Sequence, residues 1–218
     1  ACGWRGLMVA RGLMTIGGGG MYGASVVLPV VRRDFGAVRA DASFPYTLTL
    51  IGFGVGGILM GRLADRFGVA VPLRVGAIGL GLGYLLAALS GNIWVFAIAH
   101  GVLIGLVGSS STFSPLLADT SLWFLRRRGI AVAVCASGNY LGGAIWPPIV
   151  QHFVQTVGWR QTYLGLAAFC TVALLMLAQL MRQRPPALAV QPLNAQGKVP
   201  GSLPFGFSVG QAQLLLCV

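Results

Sequence analysis

Long uncharged apolar stretches dominate the chain, and short clusters of arginine separate them. A bilayer core about 30 Å thick requires about 20 apolar residues in a spanning helix. Residues 12–31 and 42–61 are two uncharged stretches of that length. Residues 75–118 form one about twice as long as a single span requires. A Ser90-Gly91-Asn92 break inside it reads as a tight turn between two helices. Further apolar stretches occupy residues 129–159 and 161–181. The pattern predicts six spanning helices, over about residues 12–31, 42–61, 72–90, 93–117, 129–152 and 161–181. The fold class is therefore all-α and polytopic, with residues 1–181 as one membrane bundle.

The character changes after Met181. Residues 182–204 carry Pro185, Pro186, Pro192, Pro200 and Pro204 among polar residues, which reads as a linker. Residues 205–218 turn apolar again and read as the opening turns of a seventh span, so a longer parent protein is expected. The first residue is alanine, and some N-terminal sequence is expected to be missing. The first apolar run is too long for the core of a cleavable signal peptide.

Composition agrees with the membrane reading. Charged residues make up 9% of the chain, against about 25% in soluble domains. The net charge of +11 sits in short loops, as expected of a membrane protein, rather than on a surface for nucleic acid. The acids are Asp34, Asp41, Asp65 and Asp119. Six spans put both ends on one side. Eleven of the 15 Lys and Arg residues fall on that side: Arg5, Arg11, Arg62, Arg66, Arg74, Arg126, Arg127, Arg128, Arg182, Arg184 and Lys198. Arg32, Arg33, Arg39 and Arg160 fall on the other. The positive-inside rule then puts both ends in the cytoplasm of a cell with the protein in its plasma (inner) membrane. Cys2, Cys135, Cys170 and Cys217 are scattered without a CxxC pair, and no Walker-type loop occurs, so no metal or other cofactor is expected.

Glycine occurs 33 times. The pairs Gly52/Gly56, Gly57/Gly61 and Gly138/Gly142 are four apart, the spacing that lets helix backbones approach. The run Gly17–Gly20 predicts a first span that is either flexible or closely packed. A loose internal echo joins Gly20, Tyr22, Pro29 and Arg32-Arg33 to Gly108, Phe113, Pro115 and Arg126-Arg127. Three-helix repeats inside six-helix halves are a device of transporters.

Gly61-Arg62-Leu63-Ala64-Asp65-Arg66-Phe67-Gly68 lies where the second span meets a short loop. Asp65 can pair with Arg66 or approach a helix N-terminus. Gly68 permits a turn with positive φ. On physics alone the segment reads equally well as an ordinary polar loop. It closely resembles the signature between spans two and three of the major facilitator superfamily. The resemblance implies that the chain is one six-helix half of a twelve-helix carrier. It also implies that Gly61, Leu63, Asp65, Arg66 and Gly68 form part of a cytoplasmic gate. The family pattern continues with basic residues directly after the final glycine. Here Val69 and Ala70 follow, and Arg74 is the next cation.

A second resemblance narrows the branch. Trp123-Phe124-Leu125-Arg126-Arg127-Arg128, the glycine-rich Ser137–Gly143 stretch, Pro147-Pro148 and Gly158-Trp159-Arg160 occur in that order. They resemble monocarboxylate and oxalate:formate carriers. This implies transport of a small organic anion by alternating access, as an antiporter or symporter. The implied partners are the bilayer, the solute with protons as a candidate coupling ion, and the C-terminal half of the same carrier.

Polar and aromatic side chains inside spans are functional candidates by default. Tyr22, His100, Asn139 and Tyr140 are the cavity candidates, with Tyr22 and Tyr140 supported by resemblance. Each has a structural alternative: interfacial anchoring for the tyrosines, helix–helix bonding for Asn139, and a packed neutral ring for His100. Arg11, near the start of span one, reads as a snorkelling cation. Other classes are an intramembrane serine protease of rhomboid type built on Ser137, a channel, and a transporter fragment without function of its own. His152 lies on the same span as Ser137, about 22 Å along the helix, too far to serve as its base. His100 lies on another span but has no supporting motif. No charged ring or re-entrant loop speaks for a channel.

Overall fold

The computed structural model describes residues 2–36, 39–124 and 127–181. The expected linker (182–204), the expected seventh-span opening (205–218) and Arg126 lie outside the described residues. The described helices are α1 (Cys2–Phe35), α2 (Arg39–Phe67), α3 (Ala70–Ala88), α4 (Ile93–Ile98), α5 (Ser114–Trp123), α6 (Arg128–Thr156) and α7 (Trp159–Leu180), with a π-helix over Ala99–Ser109 continuing α4. Among the described residues six segments are long and apolar enough to cross a membrane: Gly6–Phe35, Phe44–Phe67, Ala70–Ala88, Ile93–Trp123, Arg128–Thr156 and Trp159–Leu180. They carry large exposed apolar side chains, among them Ile58, Leu89, Val172 and Met176. Such a surface is stable against lipid and unstable in water.

Glycines end the helices where the sequence turns. Gly68 has φ +85°, and its amide bonds the Ala64 carbonyl at 2.8 Å to close α2. Gly158 has φ +88° between α6 and α7. Side chains with a Cβ are strained in this region. The break at 90–92 is a short turn, as its composition predicts. Asn92 caps α4 by accepting from the Trp94 amide at 3.1 Å.

Chain direction alternates across the bundle. One end gathers the starts of α1 and α6 and the end of α5, where Trp4 meets Phe124 edge-on at 5.8 Å. The other end joins Phe44 to Trp94 at 5.4 Å and Phe35 to Trp159 at 6.1 Å. Here the Trp159 indole donates to the Asp34 carboxylate at 2.5 Å. The most extensive pairings are α1 with α6, α3 with α7, and α2 with the π-helix.

The fourth span is not one α-helix. Its π-helix ends at Ser109, Thr112 and Phe113 form a turn, and α5 begins with Pro115 in its first turn. Proline lacks an amide and crowds the preceding turn, so the helix must restart there. Pro29 lies inside an unbroken α1. The echo between spans one and four therefore does not extend to equivalent backbone at their prolines.

Glycine sets the helix crossings. A Cβ at Gly52 would meet the Gly101 carbonyl oxygen, and one at Gly56 would meet that of Leu106. A Cβ at Gly138 would meet the Arg11 carbonyl oxygen, and one at Gly142 would lie 2.7 Å from that of Thr15. These two pairs are backbone-to-backbone contacts, the kind small residues allow in a membrane. The third pair divides. Gly57 faces Ser114, whereas a Cβ at Gly61 would have nothing within 4 Å.

Candidate functional site

The centre of the bundle joins the glycine run of α1 to four consecutive hydroxyl residues in span four. Ser109, Ser110, Ser111 and Thr112 are all buried. Each projects where a glycine of another helix leaves room: Ser110 towards Gly56, Ser111 towards Gly76, Thr112 towards Gly17, and Ser109 towards Gly20. Ser109 also donates to the Gly17 carbonyl at 3.0 Å. On the opposite side of α1, Gly18 faces Asn139 and Gly19 faces the Trp146 ring, each at 2.9 Å from a built Cβ. The Trp146 indole donates to the Thr15 carbonyl at 2.7 Å. The Thr15 hydroxyl reaches the carbonyls of Arg11 and Gly138 at 2.9 and 3.0 Å. The glycine run is thus packed on every side. Of the two readings of this run, close packing is the one that holds.

The cavity candidates separate into two groups. Tyr22 and Asn139 lie along the seam of α1 and α6, and Tyr140 follows Asn139 on α6. Tyr22 is half-buried with its ring against Gly143, and Asn139 is half-buried against Gly18. Tyr140 is 73% exposed. The stem of Arg11 packs beside Gly138 on the same seam. This seam combines a cation, an amide and a phenol, all partly buried.

His100 lies elsewhere. It is fully enclosed, with its ring 4.2 Å from that of Phe96. Its Nδ1 is 3.1 Å from the Phe96 carbonyl oxygen and its Nε2 is 3.1 Å from the Tyr163 hydroxyl. A carbonyl can only accept, so the arrangement assigns the proton to Nδ1 and leaves Nε2 to accept from Tyr163. Both nitrogens are used, and the ring ties the start of the π-helix to α7. Tyr84 stands edge-on to Tyr163 at 5.3 Å, and its hydroxyl is buried without a partner among the described residues. Replacing Tyr84 by Phe removes a stranded polar group and keeps the ring. The expected result is an unfolding midpoint equal to or above that of the parent, read by thermal unfolding in detergent.

In the signature segment Asp65 and Arg66 are exposed and Leu63 is half-buried. The Arg66 guanidinium lies over the Phe67 ring at 5.3 Å. Among the described residues Asp65 has no ionic partner. Of the two readings of Asp65, the pair with Arg66 is not formed, since Arg66 makes a cation–π contact instead.

The protease constellation is not assembled. The Ser137 hydroxyl donates to the Val134 carbonyl at 2.7 Å, and both nitrogens of His100 are engaged elsewhere. Among the described residues no group of three or more His, Cys, Asp or Glu could hold a metal ion.

Sequence reading missed the hydroxyl run, Trp146, and the Asp34–Trp159 contact. Four hydroxyl residues in succession inside an apolar stretch were the available signal for the first. The other two depend on partners 131 and 125 positions away.

The chain was compared with known proteins. Residues 7–216 match the Major Facilitator Superfamily. Monocarboxylate transporter 6 of Mus musculus is 32% identical over 146 residues, covering 65% of this chain and 31% of the relative. The MFS-type transporter opdF of Penicillium oxalicum is 34% identical over 118 residues, or 54% of this chain and 27% of the relative. The riboflavin transporter RibJ of Trypanosoma brucei brucei is 34% identical over 135 residues, or 62% and 24%. The chain thus spans about a quarter to a third of the length of these relatives. They are named as transporters, not as enzymes. With six apolar helices, an integral membrane architecture and a family match over nearly its whole length, the chain belongs to the major facilitator superfamily.

Proposed function

We propose that the chain is the N-terminal half of a secondary carrier that moves a small organic anion, such as a monocarboxylate, by alternating access. The superfamily match over residues 7–216 carries this reading. A twelve-helix carrier of this kind rocks two six-helix bundles about a site near the bilayer midplane. The α1–α6 seam, with Tyr22, Asn139 and Tyr140, supplies this half's wall. His100 braces the bundle behind it. Both ends face the cytoplasm of a cell that carries the protein in its plasma membrane, and the second half of the same carrier completes the cavity. Protons are the candidate coupling ion. The anionic solute is favoured by likeness to a relative named as a monocarboxylate transporter and by the scarcity of acids, four in the chain. A relative named for riboflavin makes that the first alternative solute. Uptake of labelled lactate into proteoliposomes holding the complete carrier tests the solute. Saturable uptake, accelerated by lactate inside, supports the reading, whereas riboflavin uptake without lactate uptake would overturn it.

Gly61, Leu63, Asp65, Arg66 and Gly68 form this half's share of the cytoplasmic gate. The open Asp65 carboxylate is placed to engage a group of the other half. Asp65→Asn in the complete carrier is expected to slow turnover about tenfold while substrate affinity stays within about twofold, since gating differs from binding. Unchanged turnover would count against the gate assignment.

A further inference from the structure

A cup lies at the end of the bundle where α1 begins, α5 ends and α6 begins. Its volume is about 350 Å³. Trp4 and Leu7, one helical turn apart on α1, form one side. Trp123 and Phe124 form the second, with Phe124 edge-on to Trp4 at 5.8 Å. Ile130 and Val134 form the third, four residues apart on α6. Leu7 is 2% exposed and makes the floor. Trp123 lies one helical turn after the buried Asp119 on α5. Arg127 is the cation of the lining, and it is exposed at the rim.

The depth of the cup is set by the spans themselves. Trp4 lies two residues before span one, Trp123 is the last residue of span four, and Arg127 directly precedes span five. All three walls therefore meet at one membrane boundary. Tryptophans gather at that level, and basic pockets between helices there hold lipid headgroups. The lining is too apolar for a free polar anion, and its charge is wrong for a cationic or neutral headgroup. Among the described residues Asp119 is the nearby acid, and it is buried and not part of the lining.

We propose that this cup binds an anionic phospholipid, with one acyl chain against Trp4, Leu7 and Val134 and the phosphate at Arg127. The proposal does not depend on what the carrier transports.

Native mass spectrometry of the delipidated complete protein tests it, with phosphatidylglycerol and phosphatidylcholine of identical chains as probes. Phosphatidylglycerol is expected to be retained at about fivefold lower concentration. Arg127→Gln should remove that preference and leave phosphatidylcholine retention unchanged. Val134→Phe, which fills the cup, should lower retention of both lipids. Arg160→Gln, at the opposite boundary, should change neither. Unfolding midpoints in phosphatidylcholine verify that each variant folds. A preference that survives Arg127→Gln would overturn the site, and so would an equal loss in Arg160→Gln, which would indicate diffuse attraction to the protein's positive charge. Displacement of the lipid by glycerol phosphate alone would overturn the acyl-chain half of the proposal.

Discussion

Gly56→Ala is expected to destabilise the bundle severely, whereas Gly54→Ala, two residues away on the same helix, leaves it intact. The added methyl at Gly56 would fall on the Leu106 carbonyl oxygen and lie 2.6 Å from the Ser110 hydroxyl oxygen. The serine can rotate, but a helix carbonyl cannot. The conflict resolves only if α2 moves away from the π-helix, which also opens the Gly52 contact with Gly101. Overpacking of this kind costs about 1–3 kcal/mol. A bilayer offers little hydrophobic force to recover it, because lipid is as apolar as the side chains exposed. At Gly54 the same methyl meets nothing within 4 Å. Cys135 and Cys170 are buried, so a thiol-reactive dye reads unfolding as they become accessible. Equal midpoints for the two variants would show that α2 does not cross span four at Gly56.

His100→Ala is expected to be the second large loss, and through a different route. The substitution leaves the buried Tyr163 hydroxyl without its partner, at about 1–3 kcal/mol. It also leaves a cavity between Phe96 and Tyr163, at about 2 kcal/mol or more if the site does not collapse. The two residues should be coupled. Tyr163→Phe alone strands the Nε2 of His100, but in the His100→Ala background it removes a group that has already lost its partner. A double-mutant cycle on unfolding midpoints should therefore show strong non-additivity. Full stability of His100→Ala, together with an altered pH dependence of uptake, would instead favour the cavity reading of His100.

These two residues show how far a sequence can be read. His100 is conspicuous in an apolar span, and its cost there marks it as a candidate for function. Two partners, one of them 63 positions away, enclose it in the structure. No local pattern could have supplied that partner. Tyr22 and Asn139 are equally conspicuous and meet the same helix seam, because α1 and α6 run side by side, whereas Tyr140 is exposed. The signature segment was legible as a turn only at its end: α2 runs on through Phe67, so residues 61–67 are helical, and Gly68 has the positive φ its position requires. The contact of Arg66 was not legible, since Asp65 and Phe67 are equally near in sequence and only the helix end decides between them.

By itself the sequence determined the class and the count: all-α, six spans, short turns at 68, 90–92 and 158, and arginines at the boundaries. Each follows from a local rule: a bilayer demands a fixed apolar length, the positive φ at 68 and 158 demands glycine, and Asn92 caps the helix after the turn at 90–92. The tertiary structure alone decided which apolar faces meet protein and which meet lipid. Both environments select the same residue types, so hydropathy cannot separate them. It also decided that Gly17–Gly20 is a packing centre, because room for Thr112 at Gly17 and for Ser109 at Gly20 has a use only once helices distant in sequence lie against each other.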